Sequence, residues 1–250
     1  MNKTDIEYLD YTWNPITMRC TPKSTGCINC WHLRVADRLM NNPKMPKRKR
    51  DAWGGGSPFF DEKKLDEPVK KKDPAIIGVQ FMGDLFHWSI PFMRIDAIWS
   101  RMAKAPQHTF IVLTKRPNQM AEFMCQVGNF NYGVLPNVWI GVSCSDQKDA
   151  DQYIPVLAKI RAAVKFVSFE PLLGRVCIND YRIVIDWAIC GCESGKNRRK
   201  TDHDTIRWLR DQCTLYRIPF FLKQMEINGK IFSMPILDGR VWKQYPKDSI

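Results

Sequence analysis

Six short, β-branched apolar runs recur along the chain, and their rhythm limits the fold more than any other feature. They are Ile76–Met82, Thr109–Thr114, Val138–Ser143, Val164–Phe169, Val184–Cys190 and Pro219–Leu222. Each is too short for a core helix and too continuous for a strand with one wet face, which is how buried parallel strands read. Helix-like stretches separate most of them: Pro91–Lys104, Pro117–Val127, Asp146–Ala163 and His203–Tyr216, with Asp146 and Thr201 as N-caps. The runs start 20 to 35 residues apart, which is the βα repeat. The shortest interval holds PLLGRVCINDY and predicts a missing helix. Tyr11–Met18 reads as a further strand at the front and Cys30–Met40 as the first helix. The expectation is one α/β domain over residues 1–250, a partial, six- to seven-stranded TIM-like β/α barrel with parallel strands. A doubly wound open sheet is the alternative. Residues 41–75, rich in Lys, Pro and Gly and without helical periodicity, read as an insertion.

Composition narrows the setting. The chain carries a net charge of +12, which favours a polyanionic partner. No apolar run approaches the ~20 residues needed to span a bilayer, and the N-terminus lacks the apolar core of a signal peptide. The expectation is a soluble, cytoplasmic protein with no membrane partner. Nine cysteines, an odd number, then argue against a disulfide framework.

In either candidate fold, chemistry gathers at the C-terminal ends of the strands. That rule selects Gly83-Asp84, Lys115-Arg116, Ser143-Cys144-Ser145, Glu170-Pro171, Gly191 to Gly195, and Lys223-Gln224. The sharpest signal lies after the first strand: Cys20, Cys27 and Cys30, spaced CxxxxxxCxxC. A CxxC at the start of a helix presents two thiols to one centre, and the helix N-terminus favours thiolate. Structural zinc requires four ligands, and the nearest fourth is His32, awkwardly close to Cys30. Three cysteines on an iron–sulfur cluster leave one iron open for chemistry. By spacing alone, cluster and zinc both stay open.

The order of these blocks resembles the radical S-adenosylmethionine (radical SAM) superfamily, most closely a phage- and prophage-associated branch with a three-Cys motif. The residues that carry the resemblance are Thr12 to Pro15, Cys20, Cys27, Cys30-Trp31, Phe81 to Phe86, Leu113 to Pro117, Trp139 to Ser143, Phe169 to Gly174, Gly191 to Gly195 and Phe221 to Gln224. The usual superfamily loop is CxxxCxxC with an aromatic before the last cysteine. Here six residues separate the first two cysteines, Asn29 stands at the aromatic's position, and Trp31 follows instead.

The resemblance implies a 4Fe–4S cluster on Cys20, Cys27 and Cys30, with S-adenosylmethionine chelated to the fourth iron. An external electron donor drives cleavage to a 5′-deoxyadenosyl radical that abstracts hydrogen from substrate. Gly83 and Asp84 would then receive the ammonium of S-adenosylmethionine, Ser143 and Ser145 its ribose or carboxylate, and Gly191 and Ser194, in the Gly191 to Gly195 turn, its adenine. Lys115, Arg116, Glu170, Glu193, Lys223 and Gln224 are left as the candidate substrate-contacting and catalytic groups. Cys190 and Cys192 form a CxC at the same mouth and read as core or incidental thiols.

Residues 44–72 contain ten Lys/Arg against five acids, interleaved with Trp53, Phe59 and Phe60 and jointed by Gly54-Gly55-Gly56. Basic and aromatic residues on a mobile loop suit phosphate contact with base stacking. Lys196, Arg198, Arg199 and Lys200 form a second basic set. The leading expectation is a radical SAM enzyme that modifies or rearranges a base in phage DNA or a nucleotide, inside an infected bacterium. A flipped base would enter the barrel mouth. The alternatives are a radical SAM reaction on a small molecule or peptide, and a non-enzymatic, zinc-containing nucleic-acid-binding protein.

Overall fold

The computed structural model describes residues 1–195 and 197–246. Seven parallel strands form its centre: Tyr11–Trp13, Ile76–Val79, Thr109–Thr114, Val138–Ser143, Val164–Phe169, Trp187–Gly191 and Phe220–Ile227. They lie in chain order across the sheet. Asn2–Lys3 is added antiparallel at one edge and Lys230–Ser233 at the other. A doubly wound sheet reverses its strand order at a switch point. This order never reverses, so the winding is that of a barrel wall, and the α/β architecture is compatible with a partial barrel.

Helices Phe92–Ala103, Pro117–Phe123, Gln147–Ala158 and His203–Leu215 follow their strands as the spacing requires. Asp146 caps its helix, its side chain accepting from the Asp149 N–H. Thr201 does not cap the last helix. Asp202 does, because the Thr201 hydroxyl donates to the Leu172 carbonyl at 2.8 Å. The connection after Val164–Phe169 has only a 3₁₀ turn at Asn179–Tyr181, so the expected helix is indeed missing. The front strand is shorter than expected. Pro15 lacks an N–H for the ladder, and beyond it Ile16–Thr17 turns away to pair with Phe59–Phe60.

The insertion departs most from its expectation. It holds helices Lys47–Trp53, Glu62–Leu65 and Glu67–Lys70. Its glycines are no joint: Gly54 caps the first of these helices, and the Gly56 N–H donates to the Asp51 carbonyl at 2.9 Å. The aromatics are not free to stack on bases. Trp53 is buried against His32, Phe59 lies under Arg48 and Lys49, and Phe60 lies under Arg94. Lys49 pairs with Asp61 inside the insertion, and Glu62 and Asp66 tie it to Arg94 and Arg101 of the helix Phe92–Ala103.

Strand alternation sorts the core into two. Phe110, Val112, Ile140, Val142, Val167, Phe169, Ala188, Cys190 and Leu222 face the helices in the large cluster. The alternate residues Ile111, Trp139, Phe166, Trp187, Ile189 and Phe221 fill the opposite, concave face with Tyr8 and Leu9. Trp187 is its hub, with ring centroids of Tyr8, Trp139, Phe166, Phe221 and Tyr245 within 6.1 Å. This aromatic plug closes the lower end of the strands, so the same strands one step later line a cavity. No helix among the described residues is long and apolar enough to cross a membrane.

Trp187→Ala should lower unfolding free energy by about 3–5 kcal/mol, through lost burial plus a cavity. The Trp187 indole also donates to the Gln244 carbonyl at 2.8 Å, so Trp187→Phe should cost less but still measurably. Urea unfolding monitored by circular dichroism reads both. A Trp187→Ala loss no larger than that of Trp187→Phe would show that the plug does not hold the concave face together.

Candidate functional site

Above the plug, each strand exposes its next inward residue, and the chemistry changes from aromatic to polar. Leu113 and Lys115, Ser143, Ser168 and Glu170, and Lys223 continue the alternation that supplied Ile111, Trp139, Phe166 and Phe221. They line a cavity of about 700 Å³. The three-cysteine loop closes one side, with Cys20, Cys27 and Cys30 all on the wall. Thr4 to Tyr8 and Ser233 close the opposite side.

Three anchors hold the loop. The first is a buried ion pair, Arg116–Asp84, at 3.0 Å. Arg116 also donates to the Thr21 carbonyl at 2.7 Å, to its hydroxyl at 2.9 Å, and to the Cys20 sulfur at 3.6 Å. The second is Glu193, which accepts from Asn29 at 2.9 Å and from the backbone and guanidinium of Arg199. Arg199 in turn donates to the Thr25 carbonyl at 3.0 Å. The third is Thr25, donating to Asp146 at 2.7 Å beside the Gly26–Ser145 contact. A Cβ on Gly26 would fall 1.9 Å from the Ser145 hydroxyl, so only glycine permits this approach. Asn29 thus links the loop to Glu193. His87, buried, adds a hydrogen bond to the Thr21 hydroxyl at 2.9 Å.

This geometry redistributes the expected roles. Asp84 accepts from Phe86 N–H, the Thr114 hydroxyl, Lys115 N–H and Arg116, which fills the roughly four acceptor sites of a carboxylate. Here it organises Arg116. Arg116 and Glu193 hold the loop and also line the cavity. Lys115 reaches the Ser143 hydroxyl at 2.7 Å, and Ser143 passes a hydrogen bond to the Glu170 carbonyl at 3.1 Å. Gly83 and Ser194 stand on the wall. Ser145 and Gly191 do not: Ser145 lies behind Gly26, and Gly191 is a gap that admits Glu170. A Cβ on Gly191 would sit 2.6 Å from Glu170 Oε1. Lys196 lies outside the described residues. Of the rest of the second basic set, Arg199 is engaged by Glu193 and Arg198 by Glu226.

The sequence reading missed the N-terminal segment. Tyr8 is buried between Trp187 and Phe221 and faces Glu170 from below, and Glu7 joins the wall. Their only sequence signal was an apolar-polar alternation too short to interpret.

Burial pushes the Cys20 thiol up to about 12 against the lowering influence of Arg116, and raises Cys30 as well. Ligation by these thiols therefore releases protons. His32 cannot serve as a fourth ligand through Nε2, which accepts the Cys20 N–H at 3.2 Å. Burial, then the Arg19 charge, keeps that imidazole neutral, down to about 4. Among the described residues, no three His, Cys, Asp or Glu side chains converge at the spacing of one metal ion.

A family model described as protein of unknown function, DUF5131, matches residues 3–246, and the chain belongs to that family. No curated protein and no solved structure matches the chain.

The Glu193 anchor makes a pH prediction. Burial alone would raise this carboxyl, but the Arg199 and Asn29 hydrogen bonds and the Arg199 charge outweigh it and bring it to about 2 from an ordinary 4.5. A depressed carboxyl stabilises the fold above its unfolded value and loses that contribution as pH falls through the folded one. Amide protection factors across residues 20–30, which divide out the intrinsic pH dependence of exchange, should therefore fall progressively between about pH 4.5 and pH 2. In Glu193→Gln they should already be low at pH 6 and change little through that window. An unaltered pH profile in the variant would assign the loop's rigidity to other contacts.

Proposed function

We propose that this member of the DUF5131 family is a radical SAM enzyme that holds a 4Fe–4S cluster on Cys20, Cys27 and Cys30 and acts on a base of DNA or a nucleotide. One observation carries the reading: the three thiols of a single strand-end loop share the wall of one large cavity, while the nearest imidazole is turned to the backbone. The donor set fits the group. Cys20, Cys27 and Cys30 line one wall, and Cys27 is near enough to raise the other two thiols electrostatically, which suits three ligands of a polynuclear centre.

Bound there, a reduced cluster and S-adenosylmethionine supply one-electron cleavage of a C–S bond and hydrogen abstraction. The chain's own residues do the rest. Arg116 at Cys20, with Lys115 nearby, offsets the negative charge that three thiolates bring into a buried site. The Glu193–Asn29 and Thr25–Asp146 bonds fix the spacing of Cys27 and Cys30 on the loop. Lys115, oriented by Ser143, offers a cation to a carboxylate at the strand ends. The aromatic plug shuts water out from below.

The +12 charge and the exposed aromatics at the mouth support a nucleic-acid substrate. Trp31 is 41% exposed on the cavity wall, and Trp88, 73% exposed, adjoins the His87 that binds Thr21. These two, rather than Trp53, Phe59 and Phe60, can stack on bases. The insertion instead braces the loop: Arg19 N–H donates to the Ala52 carbonyl at 3.0 Å, and Trp53 packs on His32.

Anaerobically purified protein should be brown and hold about four irons and as many sulfides per chain. With a reductant as external electron donor it should form 5′-deoxyadenosine from S-adenosylmethionine. Cys27→Ala should lose both iron and product. A colourless protein with stoichiometric zinc, or product formation surviving in the variant, would falsify the assignment.

A further inference from the structure

The concave face has one gap in its alternation of side chains. On strand Ile76–Val79, Ile77 and Val79 pack among the helices, and the inward position between them is Gly78. A Cβ there would fall 2.6 Å from Leu9 Cδ1 and 3.1 Å from Phe81 Cε1. No side chain fits at 78, and the Phe81 ring occupies the space instead. Phe81 reaches back because the chain turns at Gln80, a non-glycine residue in the left-handed region at φ 56°. The Gln80 amide holds this turn. It accepts the Ile16 N–H at 3.1 Å and donates to the Ile16 and Met82 carbonyls at 2.7 and 3.1 Å. Asn14 Oδ1 accepts the Met82 N–H at 2.8 Å. Backbone strain persists only where the surroundings over-determine it. Here they place Phe81.

The result is an apolar surface that the fold leaves partly uncovered. The plug rings of Tyr8, Trp139, Phe166, Trp187 and Phe221 are buried. Phe81 packs on the same cluster, yet it stays partly exposed and lines the cavity. Among the described residues it is the one ring of that cluster open to the cavity. Leu113, on the neighbouring strand, and Ile6 are partly exposed on the same wall. Further round the sheet, Ser168 and Lys223 make the wall polar. A ligand that suits both parts has an apolar face and a polar edge. A flat heterocycle has this form, whereas a phosphate lacks the face and an alkyl chain lacks the edge.

We propose that Phe81 is the platform on which the substrate's base stacks inside the cavity. The inference rests on the nucleobase reading above and deepens it, by naming the side chain that positions the ring. The adenine of S-adenosylmethionine is a flat heterocycle too. The cofactor's anchor, however, is the three-cysteine loop, tied to Arg116, Glu193 and Asp146, while Phe81 belongs to the cluster of the cavity floor. The floor therefore falls to the substrate.

Equilibrium titration of the full chain with the four deoxynucleoside 5′-monophosphates tests it, with S-adenosylmethionine binding measured on the same anaerobic preparation. Phe81→Leu keeps an apolar side chain but not a flat one, and should weaken nucleotide binding about ten-fold, in line with the worth of base–aromatic stacking. Phe81→Tyr keeps the ring and should stay within about two-fold of the wild type. Base protons of the bound nucleotide should move upfield in the wild type, the ring-current mark of stacking, and lose that shift in Phe81→Leu. S-adenosylmethionine affinity should not change. The unfolding midpoint checks each variant, and Phe81→Met, with its adaptable side chain, takes the place of leucine if that variant does not fold. Nucleotide affinity equal in wild type and Phe81→Leu would overturn the proposal. So would a loss confined to S-adenosylmethionine, which would give the ring to the cofactor. A wild-type chain that binds none of the four nucleotides would remove the base reading and the platform with it. Failure of the wild type to bind S-adenosylmethionine, with the Phe81 dependence of the nucleotides intact, would instead count against the cofactor reading alone.

Discussion

The Arg116–Asp84 pair is the contact on which the site depends. It joins three segments far apart in the chain: the loop at Thr21, the turn at Asp84 and the strand end at Thr114–Arg116. Both side chains are about 6% exposed, so neither can be satisfied by water if the other leaves. Breaking such a pair by removing one partner typically costs about 3–5 kcal/mol, because a charge stays buried and uncompensated. The network around the pair offsets the desolvation that would otherwise make it unfavourable. Asp84 takes four donors, and Arg116 gives to a carbonyl, a hydroxyl and a thiol as well as to its carboxylate.

That arrangement explains why a loop carrying three thiols needs little regular structure of its own. The only regular piece within it is the 3₁₀ turn at Thr25–Cys27, just before the helix at Trp31. Its position is set from outside, by Arg116 on one flank, Glu193 with Arg199 on the other, and the close contact of Gly26 with Ser145. The insertion adds a fourth support through Trp53 and Ala52. A segment that looked like a mobile arm for nucleic acid is thus a buttress. Its aromatic rings are covered by its own Arg48 and Lys49, by Arg94 of the neighbouring helix, and by His32.

The concave face shows the same economy of pattern. One alternation runs up each strand and serves two purposes. Trp139, Phe166, Trp187 and Phe221 fill the lower level, and Ser143, Ser168, Glu170 and Lys223 open the upper one.

The sequence by itself determined the parallel β/α architecture. Buried strands must be continuous apolar runs, and all but the shortest of the intervals between them leave room for a crossover helix. Thr109–Thr114, Val138–Ser143 and Val164–Phe169 were legible to the residue for that reason. It also marked the strand ends, and with them most of the cavity wall. The tertiary structure alone decided what those polar residues do. Asp84 and Glu193 look alike as acids at strand ends, yet each is paired to an arginine that holds the loop, while Glu170 is paired to Lys223 across the cavity floor. Pairing is a property of distance in the fold, and residues such as Asn29 and Glu193, 164 positions apart, carry no local trace of it. The N-terminal Tyr8 and the inward-turned Trp53 were hidden for the same reason: which surface a short segment covers is settled only when the sheet it packs against exists.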